Sequence, residues 1–140
     1  MILVGDIGNT DTKICFINSN YKIFKKIILP TKNINKIILK KKLKFTNKKN
    51  FSIKKSLFSS VVPKKFILIK NFVKKNFKIK CVELKKLNLN KLMKIKVNRK
   101  QIGSDRLANS IAVTSKNKNF IILDFGTATT FDVLVKDTYY

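Results

Sequence analysis

Apolar and polar positions alternate along this chain in two rhythms, and the places where the rhythm changes divide it into strands, helices and turns. Met1 to Val4 is a short apolar run suited to a buried strand. A second run, Ile14-Cys15-Phe16-Ile17, follows the polar stretch between them, so the pattern predicts a hairpin. Asn18-Ser19-Asn20 is a turn, and Tyr21 to Leu29 is a third strand ending at Pro30, which opens the fold with three antiparallel strands. Ile34, Ile37, Ile38 and Lys41 recur at helical spacing, with Thr31 or Asn33 placed to cap. Phe45 to Lys55 reads as a polar, basic loop and Ser56 to Val62 as a strand. Pro63 suits the first turn of a helix that turns Phe66, Ile69, Phe72 and Val73 inward and Lys64, Lys65, Lys74 and Lys75 to solvent. Lys80 to Leu84 is a further strand, and Leu87 to Val97 is a lysine-rich connection without a clear period. Ser104 is placed to cap a helix reaching about Ser115, with Leu107, Ala108, Ile111 and Ala112 inward. Phe120 to Asp124 and Thr130 to Val135 are strands around a turn at Gly126-Thr127. Strands alternating with helices make the chain α/β.

Composition changes this picture little. The chain has 140 residues and is 44% hydrophobic, enough for a core. Its net charge of +25 would point to nucleic acid, yet only Arg99 and Arg106 among 32 basic residues are arginine. Lys, Asn, Ile and Phe, all with A/T-rich codons, dominate throughout. Dedicated nucleic-acid faces use arginine and gather charge on one side, so the lysines read as solvated surface and no specific nucleic acid is expected. Cys15 and Cys81 sit in apolar contexts with no CxxC pair, and there is no histidine, which argues against zinc. No apolar run approaches the roughly 18 residues of a membrane span, and no cationic region precedes the first apolar run. A reducing, cytoplasmic location is expected.

The candidate chemistry is concentrated. Of seven acidic residues, Asp6, Asp11, Asp105, Asp124 and Asp132 lie in three short stretches. The first is Asp6-Ile7-Gly8-Asn9-Thr10-Asp11-Thr12-Lys13; the last, Asp124-Phe125-Gly126-Thr127-Ala128-Thr129-Thr130-Phe131-Asp132, repeats its order of strand, Asp, apolar residue, Gly, small polar residue and strand. Gly103-Ser104-Asp105-Arg106 lies between them. Such turns suit a nucleoside triphosphate: backbone N–H groups and Thr or Asn tips bind phosphate oxygens, Lys13 offsets charge, and carboxylates hold a cation. Asp105, in the first turn of a helix, is placed to take a proton from an acceptor hydroxyl, and Arg106 to meet an acidic group. Taken singly, each is an ordinary turn glycine or helix start; their joint occurrence carries the reading. P-loop and Rossmann patterns are absent, and Asp124-Phe125-Gly126 lacks the other protein-kinase signatures.

Together these three stretches, in this order, resemble the signatures of type III pantothenate kinases. The resemblance implies two ribonuclease-H-like lobes with ATP between them, as in the acetate and sugar kinase, heat-shock chaperone and actin superfamily. It implies phosphorylation of pantothenate at the start of coenzyme A synthesis, with Mg2+ and a monovalent cation, potassium or ammonium, in a homodimer. Asp6, Ile7, Gly8, Asn9, Thr10, Asp11, Thr12, Lys13 and Thr127 would then bind ATP, and Gly103, Ser104, Asp105 and Arg106 would bind pantothenate. Asp105 would be the proton acceptor and Asp124 the monovalent-cation ligand. Residues 1–117 are expected to form the first lobe, with a mixed sheet opened by the three antiparallel strands, and residues 118–140 the opening hairpin of a truncated second. Two departures carry expectations of their own. Arg99 stands near where the family has proline, which predicts a looser substrate loop. The sequence ends at Tyr140, which predicts an unpaired edge on the Thr130 to Val135 strand and weak or no activity unless a separately encoded second lobe is supplied. The alternatives are a nonenzymatic remnant or regulator of the same family and, further off, a basic RNA-binding protein.

Overall fold

The structure, a computed structural model, describes residues 1–47 and 51–140. Its residues gather into two compact units, Met1–Glu83 and Leu84–Tyr140. The chain is mixed α/β, with one sheet in each unit.

The first unit is built on β1 (Ile2–Ile7), β2 (Asp11–Ile17) and β3 (Ile23–Pro30), the three antiparallel strands expected. After α1 (Lys36–Lys42), β4 (Lys55–Ser60) returns to lie parallel to β1 on its other side. α2 (Pro63–Phe77) then crosses to β5 (Cys81–Glu83), so the sheet order is β3-β2-β1-β4-β5 and β1 is central. β1 and β2 turn Leu3, Ile7, Ile14 and Phe16 into a core shared with Leu39 of α1, Phe58 of β4 and Ile69 and Val73 of α2. Gly5 sits where this core is tightest. A Cβ there would stand 2.0 Å from the ring of Phe58, so only glycine lets β4 close on β1.

Several local expectations need correction. α1 is capped by Asn35, whose side chain accepts from the backbone N–H of Ile38 at 2.9 Å, and not by Thr31 or Asn33. Its buried residue is Leu39, while Ile37 is 79% exposed. The stretch expected as a basic loop falls partly on residues 48–50, outside the described residues. Its described part contributes Phe45 and Phe51, which pack edge-on against Phe16 with centroids 5.1 and 5.6 Å away. Phenylalanine here belongs to the core because β2 presents Phe16 to it. α2 starts at Pro63 and ends where Lys78 takes a left-handed conformation, φ 59°. Its inward face is the one predicted, but Lys65 turns back to donate to the carbonyls of Lys32 and Ile34 at 3.0 and 2.9 Å.

The second unit carries β6 (Lys94–Ile95), α3 (Ser104–Val113), β7 (Phe120–Phe125), β8 (Thr129–Val135) and β9 (Thr138–Tyr139), in the sheet order β6-β9-β8-β7. The unpaired edge expected at Thr130 to Val135 is closed only at its end, where the two-residue β9 pairs with Leu134 and Val135; the outer strands of the sheet are β6 and β7. Two-residue strands such as β6 and β9 carry too little pattern to be read from sequence.

Candidate functional site

In both Asp–Gly turns the glycine N–H closes the hairpin, over a four-residue loop in the first and a three-residue loop in the second. At the first, Gly8 N–H donates to the carbonyl of Asp11 at 3.0 Å and closes the β1–β2 hairpin; at the second, Gly126 N–H donates to Ala128 at 3.3 Å and closes β7–β8. Neither glycine takes a positive φ. What Gly8 supplies is closeness, since a Cβ would meet the Asp11 carbonyl at 3.0 Å.

Around the first turn the strand alternation sorts the residues by face. Asp6 lies opposite Lys13, and Asp11 is two positions from Lys13, so these three charged groups share the outer face of the hairpin end. Ile7 and Thr12 point the other way and are fully buried. The Thr12 hydroxyl is 2.9 Å from that of Thr31, which in turn donates to the Gly8 carbonyl at 2.7 Å. Thr31 N–H also bonds the Thr10 carbonyl at 2.8 Å. Thr31 thus pins the turn from behind, a role its sequence position does not disclose. Ile7 and Thr12 can serve a ligand only through their backbone, whereas Asn9, Thr10, Asp11 and Lys13 are exposed. Ser59 on β4 lies opposite Asp6, and its buried hydroxyl oxygen has no hydrogen-bond partner among the described residues.

In the second unit, α3 begins at Ser104 with Gly103 as its cap residue and no side-chain cap, so Ser104 is the first helical residue and is buried. Leu107 and Ser110 complete the buried stripe, while Ala112 is exposed; the inward face is rotated from the one predicted. The reason for Gly103 is steric. A Cβ there would stand 2.3 Å from Asp105 Oδ1, so the glycine leaves room for the carboxylate to fold back over the helix start, where it accepts from the backbone N–H of Arg106 at 2.9 Å. The half-buried Asp105 carboxylate is thereby held at the positive end of the helix.

Arg106, the next residue, is held by groups that sequence reasoning did not assign to it. Its Nε donates to Asp132 Oδ1 at 2.7 Å, its Nη2 lies 2.6 Å from the same oxygen, and Nη2 also donates to the Phe131 carbonyl at 2.9 Å. Tyr139 donates its hydroxyl to the same Oδ1. Asp132 is fully buried on β8, and its second oxygen has no hydrogen-bond partner among the described residues. The bond to Asp132 holds the Arg106 guanidinium above its ordinary pKa, and burial followed by that same carboxylate pushes the Tyr139 phenol up to about 12. The only advance signal was that Asp132 is one of few acids and stands in an apolar strand.

Asp124 is half-buried near the end of β7, with Oδ2 accepting from Asn109 Nδ2 at 3.2 Å. Thr127 is exposed in the adjoining turn. Arg99, expected to loosen the substrate loop, instead ties it down: its Nη2 donates to the carbonyls of Lys85 and Leu87, and Asn98 closes the turn to Lys100 and Gln101. Among the described residues no group of three or more His, Cys, Asp or Glu stands together as a metal cluster. No helix of the described residues is long and apolar enough to cross a membrane.

The chain is 67% identical to the type III pantothenate kinase of Pelagibacter ubique over its full length, covering 56% of that protein. It is 33% identical to the type III pantothenate kinase of Desulforapulum autotrophicum, with 96% of this chain and 53% of that one aligned. With the protein of that name from Finegoldia magna it shares 28% identity over the full chain and 55% of the relative. The chain thus spans about half the length of the curated relatives it matches. The family's sequence model matches residues 2–140, all three acidic stretches included, and the chain belongs to the type III pantothenate kinase family.

Proposed function

We propose that this chain is the ATP- and pantothenate-handling part of a kinase that transfers the γ-phosphoryl group of ATP to the hydroxyl of pantothenate. The observation that carries the reading is the start of α3, where Gly103 makes room for the Asp105 carboxylate beside an Arg106 held by Asp132. Phosphoryl transfer asks for positioning and charge more than for covalent help. Asp105 accepts the proton of the attacking hydroxyl, and its hydrogen bond from the Arg106 backbone fixes the carboxylate's direction. Arg106 uses Nε and Nη2 on Asp132 and Phe131, which leaves the Nη1 edge to meet the pantothenate carboxylate. The Asp6–Lys13 turn holds ATP phosphates through backbone N–H groups, Asn9, Thr10 and Lys13.

The donor set fits the cations this reading requires. Asp6 and Asp11 offer hard carboxylate oxygens on one face, the one or two protein ligands that Mg2+ takes beside phosphate and water. Asp124, with one oxygen engaged by Asn109, is the ligand for potassium or ammonium. When bound, the cations offset negative charge on the phosphates; the chain's own groups position and deprotonate the acceptor. This reading expects two ribonuclease-H-like lobes and a homodimer.

The test is ADP release from Mg-ATP, potassium and pantothenate, by this chain alone and with the C-terminal part of a relative co-expressed. Turnover that appears with the added part and falls at least ~100-fold in Asp105→Asn is the expected result. Turnover indifferent to Asp105→Asn would sink the assignment.

A further inference from the structure

Among the described residues of the first unit, Ser59 is the one whose buried side-chain polar atom has no hydrogen-bond partner. It lies on β4 and is 8% exposed. A hydroxyl in that position lowers stability, because it has given up water and gained nothing in exchange. Alanine would fill the same place without the penalty. The other serines of the strand are engaged: Ser56 Oγ donates to Cys81 Sγ at 3.4 Å, and Ser60 Oγ accepts from the backbone N–H of Val62 at 3.1 Å.

Strand alternation fixes the side of the sheet on which this hydroxyl stands. On β1, Leu3 and Ile7 turn into the core, and on β4 Phe58 does the same, over Gly5. Asp6 and Ser59, the next residues along, are register partners in the parallel pair and share the opposite face. Neighbouring strands lie about 4.8 Å apart, so a serine hydroxyl and an aspartate carboxylate at paired positions reach one another by side-chain rotation alone. The backbone around Ser59 is held on both sides. Phe58 is packed over Gly5 before it, and Val61 N–H donates to the Ile7 carbonyl at 3.0 Å after it. On the other flank of Asp6, Lys13 is its partner on β2, so the carboxylate stands between an ammonium and a hydroxyl.

From this placement we infer that Ser59 is a positioning residue for Asp6. When Mg-ATP draws the Asp6 carboxylate onto the cation, the Ser59 hydroxyl donates to the oxygen on the β4 side and so fixes the direction of the other. Burial suits this part, because Ser59 acts through Asp6 and needs no contact with the ligand. A neutral donor suits it too, since it aims the carboxylate without cancelling the charge the cation is drawn to. The inference rests on the kinase reading for its ligand, and it adds a residue outside the three acidic stretches.

The experiment measures thermal melting and, by calorimetry, Mg-ATP affinity for the unaltered chain, Ser59→Ala, Asp6→Glu and the double variant. Without ligand, Ser59→Ala should melt no lower than the unaltered chain, and it should bind Mg-ATP at least ~10-fold more weakly. Asp6→Glu keeps a carboxylate for the cation but carries it a methylene out of step with the hydroxyl. In that background Ser59→Ala should cost less than ~2-fold. Losses that simply multiply would overturn the inference, by showing that the hydroxyl acts apart from Asp6. So would a ligand-free melt lowered by more than ~4 °C, which would make Ser59 a structural residue. Should Asp6→Glu bind too weakly to titrate, the carbon NMR shift of the Asp6 carboxyl decides. Mg-ATP should move it differently in the unaltered chain and in Ser59→Ala, and equal movement refutes the tie. Mg-ATP binding weakened by Asp6→Glu and indifferent to Ser59→Ala refutes the inference alone. A folded, unaltered chain that binds no Mg-ATP refutes the kinase reading, and the inference falls with it.

Discussion

Replacing Asp132 by asparagine takes one charge out of the Arg106–Asp132–Tyr139 trio and keeps its shape. The Asp132 side chain is fully buried, but that of Arg106 is 33% exposed, so the guanidinium can turn toward water when its partner is neutralised. The cost therefore falls short of the roughly 3–5 kcal/mol of breaking a fully buried pair, and about 1–3 kcal/mol is expected. With a urea slope of about 1–3 kcal/mol per molar, the unfolding midpoint of the second unit should fall by roughly 1 M. Tyr139 gives an independent readout. In a background carrying Tyr21→Phe and Tyr140→Phe, both at exposed positions, it is the remaining one of three tyrosines, and phenolate absorbance reports it alone. Its folded pKa of about 12 lies above the ordinary 10.0, so the stability it contributes is complete below pH 10 and is lost as pH rises through about 12. Asp132→Asn should move the phenolate midpoint down without bringing it to the ordinary value, because burial, the larger cause, remains. A urea midpoint and a phenolate midpoint that both stay in place would refute the tie.

Gly5→Ala should destabilise the first unit by about 1–3 kcal/mol, seen in thermal melts, because its Cβ would collide with the buried ring of Phe58. Thr31→Val removes a hydroxyl from both Thr12 and the Gly8 carbonyl; it should cost about 1–3 kcal/mol and weaken ATP binding in calorimetry, and unaltered affinity would remove Thr31 from the support of the turn. Burial raises the pKa of the Cys81 thiol, so at pH 8 it should be alkylated at least ~10-fold more slowly in the native chain than in urea, as followed by mass spectrometry.

Much of this molecule could be read from its sequence because the signals are local. Alternation and the Gly8 turn gave the first hairpin, Pro63 gave the start of α2, and the scarcity of acids led to Asp105 and Asp124. What stayed hidden depends on partners distant in sequence. Nothing near Arg106 announces that a carboxylate 26 residues on will hold it. Phe45 and Phe51 stand in a basic stretch, and only their mutual contact and that with Phe16, far off in sequence, bring them into the core. Asn35 won the cap of α1 over Thr31 because the Thr31 hydroxyl was already engaged with Gly8 and Thr12. The pairing of Leu134 and Val135 with β9 stayed hidden because β9 is only two residues long.

The central place of β1 has a consequence for how the chain is made. Its partners on either side are far apart in time: β2 follows at once, but Ile2 pairs with Lys55 and Ile7 with Ser60, 53 residues later. At ribosomal rates of about 5–20 residues per second, β1 waits roughly 3–10 s with one side unpaired after it has emerged. During that interval the nascent hairpin presents Leu3, Ile7, Ile14 and Phe16 without the residues that will bury them, and closing the parallel pair then requires a long loop to be drawn in. The first unit thus completes its core late in its own synthesis, once β4 has arrived with Gly5 leaving room for Phe58 and α2 has followed with Ile69 and Val73.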